Sequence, residues 1–459
     1  MNIAFIYPAT EFDNIYHKYA LPSGLLSLAS VIETKGFGIV DIYDSRHMAE
    51  LPDINNLNKY DVIGFTAMSM QISHALFLAQ KLRINGYTGP VIFGGPHASV
   101  VPEHLKQQEI IDAIFIGEAE ETLPQYLRFL LGETHKLQRL WLRDASRQWV
   151  YHEGDGFIKD LDELPFPSRH KYEDVIKSSR AINITTTRGC PFKCNYCQPS
   201  KEILFGKQIR RRSIDNIIDE LNEYIDKYSI NSFSIDDDTF TYNEILVVEF
   251  CMKVKPLNLT WSCQSRTDIK SSTLKLMNEA GCTSLYVGVE SGSQRMLDLM
   301  GKHNTVHNNE QFIIACKDIG ITVWCNMLAG YPGETINDLS QSLIFLKRTL
   351  PERVCVSQVT PFPGTRLWTD NRDDLIQRDW DDVARHVRKP KFKSMEKMQE
   401  VIELYVVLMS KDFNNLMFGK YVCFDKFIAG CFFRYPFFFR FALNKACELK
   451  ALFYRLIKN

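Results

Sequence analysis

The stretch Ile182-Asn183-Ile184-Thr185-Thr186-Thr187-Arg188-Gly189-Cys190-Pro191-Phe192-Lys193-Cys194-Asn195-Tyr196-Cys197 opens as a short apolar run, breaks at a glycine and sets three cysteines within eight positions. Such a run closed by glycine reads as a strand entering a loop. A structural zinc site takes four protein ligands, commonly as two paired knuckles, and no second Cys or His pair follows at suitable spacing. Three thiolates at one loop suit an iron–sulfur cube whose fourth iron stays open to a small molecule. Zinc or a purely electron-storing cluster is the alternative that spacing alone leaves standing.

Downstream, apolar runs recur at 182–187, 232–235, 259–263, 284–289, 322–327 and 353–359, separated by helical-period stretches at 214–228, 243–253, 272–280, 308–319 and 335–348. Six strand–helix units predict a partial (β/α)6 TIM-like barrel over 178–372, with function at the carboxyl ends of its strands. Upstream the same alternation (runs at 3–7, 39–43, 61–66, 91–93 and 113–116) predicts a doubly wound, Rossmann-like parallel sheet over 1–135, making the chain α/β overall. Residues 136–177 lose the alternation and read as a connecting segment with a hairpin, and 373–459 as a helical region ending in an aromatic, basic tail.

Composition narrows the classes further. In 459 residues, 54 Lys and Arg face 55 Asp and Glu, and 45% of the chain is hydrophobic, so disorder and a rod are excluded and no whole-chain field collects nucleic acid. The N-terminal run has no basic region before it and no cleavage site after it, and no window reaches the ~20 apolar residues of a membrane span, so a cytoplasmic location is expected. Of twelve cysteines, Cys251, Cys282, Cys316, Cys355 and Cys447 stand alone in apolar runs and are expected to be buried thiols.

The cysteine triplet, with aromatic Tyr196 before its last member, resembles the Cys-x-x-x-Cys-x-x-Cys motif of radical S-adenosylmethionine (SAM) enzymes. The resemblance implies that Cys190, Cys194 and Cys197 hold a 4Fe-4S cluster whose free iron chelates the amino and carboxylate groups of SAM. One electron, from an external donor such as flavodoxin or ferredoxin, then cleaves SAM to a 5′-deoxyadenosyl radical. Later strand ends fit the pattern. Asp236-Asp237-Asp238 closes the second, where a carboxylate facing the pocket accepts from a cationic ammonium. Arg266 closes the third, Glu290-Ser291 the fourth, and Gly330-Tyr331-Pro332-Gly333-Glu334 and Pro361-Phe362-Pro363-Gly364 follow the fifth and sixth. By resemblance, Tyr196, Asp236, Asp237, Arg266, Glu290 and Ser291 are the SAM residues. The run Arg210-Arg211-Arg212-Ser213 reads as a solvated or helix-capping feature rather than a phosphate site.

The first domain resembles the cobalamin-binding domain of one branch of the same family, through Leu21-Pro22-Ser23-Gly24-Leu25, Gly64-Phe65-Thr66-Ala67-Met68-Ser69, Phe93-Gly94-Gly95-Pro96-His97 and Gly117-Glu118-Ala119-Glu120. It implies that Gly24, Thr66, Ser69, Gly94, Gly95, Gly117 and Glu118 receive cobalamin. The Asp-x-His-x-x-Gly motif that supplies a cobalt ligand elsewhere is absent, and His97 reads as a hydrogen-bonding turn residue. Together these resemblances imply methylation of an unactivated carbon of a small-molecule or lipid-like substrate. Oxidative ring closure or rearrangement with the same cofactors is the alternative, as in the magnesium-protoporphyrin ester cyclase type. A non-enzymatic sensor or carrier fits poorly with an open iron. The tail from Leu416 is expected either to cap the barrel or to touch a membrane interface.

Overall fold

The computed structural model describes residues 1–9, 20–46, 54–133, 136–197, 200–376 and 391–409. The first sheet holds β1 (Ile3–Tyr7), β2 (Val40–Asp44), β3 (Val62–Thr66), β4 (Val91–Gly94), β5 (Ala113–Phe115), β6 (Leu140–Arg143) and β7 (Trp149–His152), in spatial order β2-β1-β3-β4-β5-β6-β7. β1 to β5 are parallel and nearly continuous in apolar residues because both faces are covered. One face buries Ile6, Ile63 and Phe93; the other buries Ile3, Phe5 and Leu25. The order reverses between β1 and β3, which opens a crevice at their carboxyl ends. β6 and β7 add antiparallel to β5, so part of the expected connecting segment extends this sheet, with Trp149 and Trp141 packing against its core.

The second sheet is all parallel and open: β8 (Ala181–Ile184), β11 (Ser232–Ile235), β12 (Thr260–Ser265), β13 (Cys282–Glu290), β14 (Thr322–Ala329) and β15 (Arg353–Gln358) lie in that order. A small antiparallel pair, β9 (Thr187–Arg188) with β10 (Arg210–Arg211), sits beside β8. This is the partial barrel. The apolar run expected over 182–187 ends as a strand at Ile184, because Thr185–Thr187 turns toward the cysteine loop. On the inner strands Phe233, Cys263, Leu285, Val287, Val323 and Cys325 point outward and are buried among the covering helices. Cys251, Cys282 and Cys316 are buried with them, whereas Cys355 is exposed, because it lies on edge strand β15 in register with Asn326 on the opposite, concave face. Cys447 lies outside the described residues.

Helix Gln399–Met409 follows a short turn and lies over β14 and β15, where Ile402 and Tyr405 pack with Ala329 and Val359. The tail from Leu416 lies outside the described residues, and among those described no helix is long and apolar enough to cross a membrane.

Candidate active site

The cysteine loop begins where β8 stops, and one buried carboxylate fixes that turn. Asp237, 1% exposed, accepts from the Thr186 and Thr187 amides at 2.7 and 3.0 Å, from the Thr187 hydroxyl at 2.8 Å, and from the Thr186 hydroxyl. Its burial pushes the pKa up to about 6 against the pull of these hydrogen bonds. Further along, the Asn195 amide donates to Met300 O at 2.9 Å, its side chain donates to Leu299 O at 3.0 Å, and its own carbonyl accepts from Leu367 N at 2.9 Å. The Arg266 guanidinium lies 3.9 Å from the Phe192 ring centre, so a strand-end cation presses on the loop between two cysteines. Cys190, Cys194 and Cys197 are each half-buried, in contrast to the sealed thiols behind the barrel. Among the described residues no three His, Cys, Asp or Glu side chains meet around a single ion. Three accessible thiols on a braced loop are a donor set for a cluster in which each sulfur takes its own iron.

Beside the loop stands a second constellation. The Tyr196 hydroxyl bonds to Glu290, and Lys302 Nζ reaches Glu290 Oε1 at 3.0 Å. Burial first, and the Glu290 carboxylate second, push the Tyr196 pKa well up, so its hydroxyl stays a donor. Glu290 holds φ +67°, a left-handed conformation that costs a side-chain-bearing residue about 1–3 kcal/mol, and the β13–β14 register shifts there. Gly288 makes room for the pair: a Cβ there would stand 2.3 Å from Glu290 Oε1 and 2.8 Å from Lys302 Nζ.

A cavity of about 410 Å³ separates the carboxyl ends of the first sheet from the first strands of the barrel. The first domain contributes Gly24, Thr66, Gly94, Gly95 and Gly117, and the barrel contributes Thr185, Thr187, Asp236 and Asp238. Gly95, at φ +87°, leaves no room for a Cβ, which would lie 2.5 Å from Thr66 Oγ1. Buried ion pairs staple the two walls: Arg188 bonds Glu118 at 2.8 Å and Glu120 at 2.6 Å, and Arg210 bonds Glu118 at 2.7 Å. The largely apolar cleft with small residues at strand ends suits a large flat macrocycle lying between the sheets.

Comparison with known proteins agrees with this division. A model of the Radical SAM superfamily matches residues 184–346, and one of the B12 binding domain matches residues 16–127. The chain therefore carries a radical SAM domain preceded by a B12-binding domain. An uncharacterized methyltransferase of Pyrococcus horikoshii is 28% identical over 80% of this chain and 82% of its own length. The anaerobic magnesium-protoporphyrin IX monomethyl ester cyclase of Rubrivivax gelatinosus is 25% identical over 81% of this chain and 70% of its own. The fold is that of the radical SAM methyltransferase TsrM from Kitasatospora setae, solved with cobalamin and a 4Fe-4S cluster, at a TM-score of 0.66 and 15% identity over 81% of this chain and 78% of that one.

Within the radical SAM domain the residues expected at the SAM site divide. Tyr196 and Glu290 meet beside the cysteines, and Arg266 braces their loop while spending its Nη2 on the Lys302 and His303 carbonyls at 3.2 and 3.1 Å. Three others stand apart from that pair. The Asp237 carboxylate is taken up by the threonine turn. Ser291 is fully buried, with its hydroxyl 3.1 Å from Ser342 Oγ and accepting from Ser293 N at 3.1 Å. Asp236 belongs to the junction of the two domains, accepting from Asn183 Nδ2 at 2.5 Å and Ser23 Oγ at 3.4 Å, and burial pushes its pKa up.

On the B12 side, Gly24, Thr66, Gly94, Gly95 and Gly117 line the cavity. Glu118 also lines it, with both oxygens held by arginines. Ser69 is not among the lining residues and instead lies 3.0 Å from His97 Nδ1. His97 is buried between Ser69 and His104, and burial pushes its pKa down to about 3, so the ring is neutral. Of the basic run, only Arg211 is solvated; Arg210 and Arg212 pair with Glu118 and Glu220, and Ser213 caps the helix Ile214–Tyr228. Asn183, Arg188 and Glu120 escape sequence reasoning because their partners are distant in the chain, and Lys302 because its pairing with Glu290, 12 residues back, is made by the turn after β13.

Proposed function

We propose that the chain is a cobalamin-dependent radical SAM methyltransferase acting on an unactivated carbon of a small molecule. One observation carries this: Thr185, Thr187 and Arg188, which lead directly into the three-cysteine loop, line the same cavity as Gly24, Gly94, Gly95 and Gly117 of the first domain. When bound, a 4Fe-4S cluster would supply the electron that breaks the sulfonium bond of SAM, and cobalamin would carry the transferable methyl group.

In this reading Cys190, Cys194 and Cys197 would hold the cluster, and Gly24, Thr66, Gly94, Gly95 and Gly117 would let the corrin approach the backbone. The protein's own residues do the positioning. Asp237 and Asn195 fix both ends of the loop, Arg266 stacks against its middle, and Glu290, anchored by Lys302 and Tyr196, would accept from a cationic or hydroxyl group of SAM. The largely apolar lining of the cavity would limit the water that meets a reactive radical. An external one-electron donor is required.

Ring closure with the same cofactors is the second reading, favoured by similarity to the cyclase at 25% identity. Incubation with methyl-labelled SAM under reducing, anaerobic conditions separates them. Label in the product supports methyl transfer; deoxyadenosine formed alongside an unlabelled product supports cyclisation; intact SAM overturns both.

A further inference from the structure

Across β12 to β15 the concave face of the barrel carries a row in strict register, one residue per strand: Gln264, Tyr286, Trp324 and Arg353. Tyr286 and Trp324 stack with ring centres 5.3 Å apart and planes at 27°, and the Arg353 guanidinium lies 5.5 Å from the Trp324 ring centre. In a closed barrel such positions are filled by bulky branched residues. Here they are open: Gln264 and Arg353 are exposed, and Tyr286 is 38% exposed although β13 is an interior strand. The next row toward the carboxyl ends is Gly288, Asn326 and Cys355, and the Glu290–Lys302 pair fills the space over Gly288.

This face is also unusual in its pairing. Arg169, Arg188, Arg210, Arg212 and Arg295 are each tied to a carboxylate. Among the described residues the side chains of Arg353, Gln264 and Asn326 make no hydrogen bond or ion pair within the chain. A guanidinium resting on an indole over a low-dielectric sheet focuses positive potential, and its fork fits a carboxylate or phosphate. Three strand spacings separate Gln264 from Arg353, about 14 Å. At the other end of the row, Ile235 pairs with Cys263, which sets Asp236 and the inter-sheet cavity next to Gln264.

We infer that this concave face seats the methyl acceptor, and that the acceptor is an anionic molecule with a flat apolar body: its carboxylate or phosphate meets Arg353, its body covers Tyr286 and Trp324, and its reacting end points toward Glu290 and the cavity. The inference rests on the enzyme reading above, but the probe binding that tests it requires neither cluster nor turnover.

Full-length protein is titrated by calorimetry with 1-naphthaleneacetate, 1-naphthyl phosphate and neutral 1-naphthaleneacetamide, as wild type, Arg353→Gln and Arg353→Lys. At least one anion binds wild type about tenfold or more tightly than the amide; Arg353→Gln erases that preference while binding the amide as wild type does, and Arg353→Lys keeps part of it. Which anion is preferred tells a carboxylate acceptor from a phosphate one. If Arg353→Gln loses amide binding too, the lysine variant decides, retained anion preference supporting the site and lost preference overturning it. Equal anion binding by wild type and Arg353→Gln, or no binding of any probe to wild type, also overturns it. SAM cleavage by reconstituted wild type tests the enzyme reading separately.

Discussion

Replacing Asp237 by alanine tests whether one carboxylate holds the entrance to the cysteine loop. The side chain is 1% exposed, so water does not take its place when it is removed. The substitution strands the Thr186 and Thr187 amides, now bonded at 2.7 and 3.0 Å. At about 1–3 kcal/mol for each buried unsatisfied group, the two amides put the loss at about 2–6 kcal/mol, with the threonine hydroxyls turning to other partners. Urea unfolding reads the stability, and iron per chain after anaerobic reconstitution reads the loop. Asp237→Ala is expected to unfold at a lower urea concentration and to hold less iron, while Asp237→Asn keeps an oxygen for the amides and loses about 1 kcal/mol at neutral pH.

The pH dependence has a definite sign. Asp237 is raised from 3.8 to about 6, so between those values the folded chain keeps a proton that the unfolded chain has released. The group's contribution is therefore complete below about pH 4 and falls by about 3 kcal/mol as pH rises through 6. Asparagine has no such titration, so the stability gap should move toward the Asn variant over that window. An alanine variant with the wild-type urea midpoint and full iron content would refute the clamp.

Single alanine substitutions at Cys190, Cys194 and Cys197 are expected to abolish most iron binding with an unchanged circular dichroism spectrum; Cys263→Ala, behind the sheet, should keep its iron. Gly95→Ala must place a Cβ 2.5 Å from Thr66 Oγ1 at φ +87°, so hydroxocobalamin, followed by absorbance titration, should bind at least about tenfold more weakly. Arg188→Met leaves Glu118 and Glu120, whose side chains are 2% and 6% exposed, short of their shared cation. A loss of about 3–5 kcal/mol in urea unfolding is expected, and a change under about 1 kcal/mol would show that the staple between the sheets is dispensable.

Much of the framework is legible because parallel strands covered on both faces must be apolar along their length. Ile3–Tyr7, Ser232–Ile235 and helix Ile214–Tyr228 have the boundaries that periodicity assigns. The cysteine loop is legible because cluster chemistry demands its spacing within one turn of chain. Asp236, Asp237 and Asp238 show where such reading stops. Three identical carboxylates in a row have one composition, but chain alternation sends Asp237 into the threonine turn and its neighbours toward the cavity. Thr185-Thr186-Thr187 was the available signal, a run of donors needing an acceptor. For Glu118 the sequence holds no such signal, since its arginine partners lie 70 and 92 residues away. Ser291 follows a visible strand end, yet its burial depends on Ser342 from a later helix.

Three cysteines would leave one iron of the cluster open to SAM. Electron–nuclear double resonance on the reduced, reconstituted protein with SAM labelled by ¹⁵N at its amino group and ¹⁷O at its carboxylate tests it directly. Coupling from both labels, with an electron paramagnetic resonance signal that shifts on adding SAM, is the predicted result. A signal indifferent to SAM, together with a fourth protein side chain whose removal destroys the cluster, would contradict it.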